Sequence, residues 1–267
     1  MSLLIVTPTL GCSPFWRQTL DSIAGLGIPY RHCIVCPRQV RARIATECPD
    51  AIVIAESPER AGLYAAVNQG VAAVTGENWE WMTYINDDDL LSSGVSTCLN
   101  QVTADVDLCY GRVDKIDESG RRLEAISTLR SEKDFLYLAA AGISGFNQQG
   151  ALLRRRLWEK VKPFDVRLKI CADFDLFVRA ALAGGKMKYF SVTTGAFRIR
   201  AGQISQDVPL ELREKQEIHR RNDLGRFVGG AQRVRWRFRI QNCGTYWRRM
   251  LRGRFYTSHQ MLAGERR

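Results

Sequence analysis

The end of the chain is nearly devoid of acids. From Arg220 to Arg267 there are 13 arginines and no lysine, opposed only by Asp223 and Glu265, so this stretch carries the whole formal net charge of +11. The preceding 219 residues balance at 26 basic and 26 acidic side chains. Such asymmetry describes an electrostatic extension on a neutral body. Long apolar runs are missing too. No segment approaches the ~18 residues that a membrane-spanning helix requires, and the opening MSLLIVTPTLG has an apolar run of only four and no basic n-region, so it reads as neither signal peptide nor span. The eight cysteines lack paired spacing except at Cys33 and Cys36, inside the apolar run HCIVC. Residues three apart on a strand point to opposite faces, which makes this pair a poor zinc or redox clip and points to buried thiols in a reducing cytosol. After the first apolar run, TPTLGCSPF contains one glycine and no basic residue, unlike a glycine-rich phosphate loop.

What is present is an alternation of short apolar runs with amphipathic stretches. LLIV (3–6), HCIVC (32–36), AIVIA (51–55), WEWMTYI (79–85) and DLCYG (107–111) read as strands. Helices are predicted over about 15–25, 40–47, 62–74 and 91–101, the third marked by Leu63, Ala66, Val67, Val71 and Val74 on one face. This succession predicts an α/β fold, Rossmann-like, with a mainly parallel sheet covered by helices on both faces. Ligands of such sheets bind beyond the carboxyl ends of the strands. TPTLG, ESPERAG and NDDD are thereby expected on one rim. Past residue 111 the pattern changes to a hairpin turning at Glu118-Ser119-Gly120, a helix near 132–140, a strand at ALLRR, a helix at ADFDLFVRAALAGG and a last strand at KYFSV. No internal repeat is evident.

The stretch YINDDDLLSSG (84–94) poses an electrostatic problem, because Asp87, Asp88 and Asp89 repel one another at a strand end. A helix N-terminus explains one or two of them. All three together call for a cation, and hard oxygen donors without a Cys or His cluster favour Mn²⁺ or Mg²⁺, escorted by a phosphate-bearing substrate.

The stretch from Ser57 to Val95 resembles glycosyltransferase family 2. It supplies Gly62, Tyr64, Ala66, Asn68, Gly70 and Gly76, then Ile85-Asn86-Asp87-Asp88-Asp89, in the order and spacing of that family. IVTPTLG, FNQQGALLRRRLWEKVKPFD (146–165) and ADFDLFVR (172–179) extend the resemblance over about residues 3–205. It implies a GT-A fold and an inverting, metal-dependent transfer of sugar from a nucleotide-diphosphate donor to a glycan or lipid-linked acceptor, as in surface polysaccharide synthesis. By the same resemblance Asp88 ligates the metal with Asp89 as helper. Thr7, Pro8, Thr9, Arg60, Gly62, Asn68, Asn86 and Asp87 face the donor, Gln148 and Gln149 lie on the acceptor side, and Asp173 is the base. The bland reading of Asp173 and Asp175 is a helix cap, and that of Arg179 an i,i+4 ion pair with Asp175. The acidic turn that relatives carry after the second strand is replaced by CIVCPRQVR, which leaves the nucleotide base undetermined.

Residues 1–205 are thus expected to form the transferase domain and 206–267 an Arg-rich extension, helical or mixed. Within it AQRVRWRFRIQ alternates strictly, which on a strand gives one apolar and one cationic face, whereas a helix would mix the two. Three roles stay open for this tail: a solvated structural face, attachment to an anionic membrane surface, or, less favoured, nucleic-acid binding. Self-association is open as well. The expected location is the cytoplasm, peripheral at the inner face of the plasma membrane if the tail meets lipid. Two rival classes are a nucleotidyltransferase on a similar fold and a noncatalytic binding module driven by the tail.

Overall fold

The computed structural model describes residues 2–251, without the side chains of Arg60, Arg249 and Leu251. Its first half is β1 (Leu3–Pro8), α1 (Trp16–Ala24), β2 (Tyr30–Cys36), α2 (Arg41–Glu47), β3 (Ile52–Ala55), α3 (Leu63–Ala73) and β4 (Trp81–Tyr84). β1 pairs in parallel with β2 and β4, and β2 with β3. Successive side chains of β1 enter different cores: Leu4 and Val6 pack with Cys33, Val35, Val67 and Val71 below α3, while Leu3 and Ile5 pack with Ile23, Trp81, Val95 and Leu99. Burial on both faces is why this strand reads as an unbroken apolar run.

The second half is β5 (Leu90–Leu91), α4 (Gly94–Gln101), β6 (Leu108–Ile116), β7 (Arg122–Ala125), α5 (Phe135–Ala140), β8 (Leu152–Arg154), α6 (Arg155–Val161), α7 (Ala172–Leu182), β9 (Met187–Arg198), α8 (Val208–Arg221), α9 (Val228–Gln241) and α10 (Cys243–Leu251). The sheet order is β3-β2-β1-β4-β8-β6-β9-β5, with β7 on β6. β8 runs antiparallel to β4 and β6, whereas β9 is parallel to β6, so the sheet is mixed beyond β4. This topology places the carboxyl ends of β1, β4, β6 and β9 and the start of β8 along one rim. β9 runs to Arg198, well past the predicted KYFSV.

The alternating segment AQRVRWRFRIQ is helical, which decides between the two conformations that its pattern left open. Alternation with period two also satisfies i,i+4 spacing: Val234 and Phe238 share the inner face with Ala231, whereas Trp236 and Ile240 are 60% and 68% exposed on the outer one. Contact with α5 selects the helix. Asn242, at the end of α9, accepts from Thr128 N at 3.0 Å and donates to Thr128 O at 3.2 Å, clasping the helix to the loop after β7. Helix α9 of the extension is therefore docked on the body.

This arrangement sets Phe238 apart from Trp236. Phe238→Ala is expected to lower stability by about 3–5 kcal/mol and Trp236→Ala by less than about 0.5 kcal/mol in urea titrations. Equal losses would restore the strand reading.

Candidate functional site

The rim gathers TPTLG and NDDD as the topology requires. Thr9 Oγ1 donates to Asp87 Oδ2 at 2.5 Å, and Ser13 Oγ donates to the Asp87 carbonyl at 2.9 Å. Burial is the main reason that the Asp87 carboxyl is pushed above its ordinary range. Thr7 is turned inward: its hydroxyl lies 2.9 Å from His32 Nε2 in the sheet interior, where burial lowers the imidazole to about 4. Pro8 ends β1 and is buried.

The three aspartates are neutralised unequally. Asp89 is fully buried and accepts from Arg198 N at 2.8 Å, Gln149 Nε2 at 2.8 Å and Asn86 Nδ2 at 3.4 Å. Burial, and then Asp88, push its carboxyl up to about 8. Asp88, 5% exposed, is paired through Oδ2 with Arg200 Nε at 2.7 Å. The fully buried Arg198 guanidinium binds main-chain carbonyls on two segments of the rim, Asp88 O at 2.7 Å and Asp117 O at 2.9 Å, and also Gln18 Oε1 at 2.7 Å. Gln203 and Gln206 bond the main chain of Arg198 and Arg200 and fix the loop in which Arg200 stands. Neither arginine is conspicuous in the sequence. Their signal is FRIR, two cations at i,i+2 at the end of a strand, aimed from the same side at the acidic rim.

Asp173 approaches from α7. It is half-buried, accepts from Phe174 N at 2.7 Å, and is raised by burial to about 6. It thereby binds one free amide in the first turn of α7, whose N-cap residue, Cys171, makes no side-chain cap. Glu214 of α8 instead accepts from the main-chain N–H groups of Lys169, Ile170 and Cys171 just ahead of α7, at 2.6, 3.0 and 2.9 Å. Asp175 pairs with Arg179 at 2.8 Å, as its spacing predicts, and also with Arg221 of α8 at 2.6 Å. Glu214 and Arg221, invisible as site residues in the sequence, thus hold α7 in place.

Tyr84, at the end of β4, links the two acidic groups. Its phenol is raised well above its ordinary value by burial first, then by Asp173 and Asp89. Tyr84 packs edge to face against both Tyr64 and Phe164, and Tyr64 donates to the Ile170 carbonyl at 2.7 Å. Asn68 belongs to this support. Both ends of its amide bond the Phe164 main chain, at 2.9 and 3.0 Å, which makes Asn68 a clasp between α3 and the loop before α7. Gly62 starts α3 with φ +115° and donates to Glu56 Oε1 at 2.7 Å. The side chain of Arg60 lies outside the described residues.

Gln148 and Gln149 precede β8 on the same rim. Gly150 brings them against β9: its φ is +71° and a Cβ there would overlap the Thr194 carbonyl. Both amide atoms of Gln148, Oε1 of Gln149 and Oδ1 of Asn86 are buried without a hydrogen-bond partner. Buried polar atoms without a partner at one rim call for an occupant there, a water or a polar ligand.

Among the described residues no group of three or more His, Cys, Asp and Glu stands ready to hold a divalent ion. Asp88 and the orphaned Oδ1 of Asn86 are nonetheless hard oxygen donors, and Mg²⁺-type ions usually take one or two carboxylates and complete their shell with water and substrate phosphate. On that chemistry the residues fit a cation that arrives with a diphosphate.

A sheet whose parallel half ends in an acidic rim, faced by a further carboxylate from the mixed half, defines a GT-A glycosyltransferase. A family model described as Glycosyl transferase family 2 matches residues 4–161, and the chain belongs to that family. Among solved structures it is similar to TarS 1-349 of S. aureus in complex with UDP-GlcNAc, with 13% identity, TM-score 0.65, and coverage of 91% of this chain and 75% of that one. It is also similar to the mannosyltransferase PcManGT of Pyrobaculum calidifontis in complex with GDP-Man and Mn²⁺, at 15% identity, TM-score 0.54, and coverage of 97% and 82%. No curated protein matches it by sequence.

The Asp88–Arg200 pair is open to a double-mutant cycle in the presence of chelator. Arg200 is 41% exposed, so Arg200→Gln is expected to lower stability by only about 1–2 kcal/mol, with most of the loss absent in an Asp88→Asn background. Additive losses would show that the two side chains do not depend on each other.

Proposed function

We propose that the chain transfers one sugar from a nucleotide-diphosphate donor to a hydroxyl of a glycan or lipid-linked glycan, with inversion at the anomeric carbon and with Mn²⁺ or Mg²⁺ bound. The observation that carries this reading is that a half-buried Asp173 and the rim carboxylate Asp89 both lie close enough to Tyr84 to act on its phenol. The sugar nucleotides in TarS and PcManGT, and the Mn²⁺ in the latter, support it.

In this proposal Thr9 and Asp87 border the nucleotide, Asp88 and Asn86 Oδ1 hold the cation, and Asp89 anchors the rim from behind. A divalent ion, when bound, supplies positive charge to the departing diphosphate. Arg200 lies close enough to Asp88 to share that neutralisation. Asp173 takes the proton of the acceptor hydroxyl as its oxygen attacks the anomeric carbon. The bond from that carbon to the diphosphate oxygen breaks on the opposite face, and its electron pair leaves with the nucleotide. One such displacement inverts the centre without a covalent sugar–enzyme intermediate. The orphaned amide of Gln148 is placed to receive sugar or acceptor hydroxyls.

Two substitutions separate binding from chemistry. UDP, GDP and dTDP are screened by thermal shift with and without Mn²⁺, and a nucleotide at about 100 times its Kd raises stability by ~2.7 kcal/mol. Asp88→Asn is expected to remove the Mn²⁺-dependent part of the shift. Asp173→Asn should keep it while lowering kcat by about 10²–10⁴. Because Asp173 must be ionised to act, kcat/KM of the wild type should fall as pH drops through about 6. Retention of full turnover by Asp173→Asn would remove this residue from the reaction.

A further inference from the structure

We infer that the outer surface of α9 and α10 is a docking face for an anionic phospholipid bilayer. The inner side of α9 is occupied: Ala231, Val234, Phe238 and Asn242 are buried, and Arg237 pairs with Asp134 at 2.7 Å. The outer side is different. Of the twelve large hydrophobic side chains exposed among the described residues, six belong to these two helices: Val228, Trp236, Ile240, Tyr246, Trp247 and Met250. Trp236 and Trp247, 60% and 58% exposed, are the only exposed tryptophans among the described residues.

The charge around these side chains is of one sign. No acid occurs in the sequence between Asp223 and Glu265, and Arg233, Arg235, Arg239 and Arg248 have no ion-pair partner among the described residues. Their neighbour Arg237, by contrast, is paired to the body. The Arg239 guanidinium lies over the Trp236 ring at 5.8 Å, so cation and indole share one patch.

An interface of exposed tryptophans with arginines suits the headgroup region of a bilayer. Indole rings settle at that level, arginine stems lie along apolar surface while their heads reach phosphate, and each cation near an anionic leaflet adds to binding. No described helix is long and apolar enough to cross a membrane, so the contact is one of lying on the surface. Nucleic acid would also meet the arginines, but it offers no apolar layer for Ile240, Val228 and Met250. The inference is independent of the donor site and of the proposed reaction.

The test uses the full chain with vesicles of phosphatidylcholine alone and of phosphatidylcholine with phosphatidylglycerol, read by co-sedimentation and tryptophan emission. The chain is expected to sediment with the anionic vesicles, with emission shifted to the blue, and to stay free of the neutral ones. Trp236→Ala with Ile240→Ala, and separately Arg233→Gln with Arg239→Gln, should each weaken partition by about tenfold or more. The melting temperature and nucleotide shift should remain unchanged, since all four side chains are exposed. The proposal falls if anionic vesicles are ignored, or if both double variants bind them as the wild type does. It falls equally if a single-stranded oligonucleotide displaces the vesicles completely, or if size-exclusion light scattering shows a dimer that Trp236→Ala with Ile240→Ala dissolves.

Discussion

The rim rests on the separate satisfaction of three adjacent carboxylates, one of them by a cation delivered from a strand more than a hundred residues away. Arg198 and Arg200 extend from the end of β9, the first binding carbonyls across the rim and the second pairing with Asp88. Charge balance is thereby tied to strand register. Asp87, Asp88 and Asp89 can crowd together because each faces a different partner: a threonine hydroxyl, a guanidinium, and a buried set of amides. Only Asp88 balances its charge against a partly solvated group, and a shared cation of that kind can be redistributed when a phosphate arrives.

A second dependence runs through α8. Helix α7 carries Asp173, yet the groups that fix α7 belong to Glu214 and Arg221, in the stretch that composition assigns to the extension. Glu214 collects the amide hydrogens ahead of the helix, and Asp173 binds only the Phe174 N–H. Arg221 joins Arg179 in neutralising Asp175 inside the protein, where an unpaired carboxylate would cost several kcal/mol. The body and its extension thus share the machinery that keeps the base in position.

The sequence made the parallel half legible because its strands are buried on both faces and its helices carry one apolar stripe each. NDDD and TPTLG were legible as rim residues because strand ends follow from topology alone. Directions of individual side chains were not. Thr7 and Asn68 sit in the expected segments, but His32 and Phe164, 25 and 96 residues distant, decide where their polar atoms point. The length of β9 was obscured by Gly195, which breaks its alternating pattern. In α9 the period-two pattern admits two conformations, and only the apolar surface of α5 chooses between them.

β9 also departs from regular pairing. Tyr110 stands beside Tyr189 and Asp114 beside Ala196, so β9 uses seven steps where β6 uses four. An odd surplus of residues exchanges the two sides of a strand relative to its neighbour. Without that surplus Gly195 would stand opposite Ile116, where Arg198 now stands. The irregularity acts as a parity setting: one residue more or fewer in this strand would exchange its two sides, and the polarity of the rim depends on a count made between Tyr189 and Gly195.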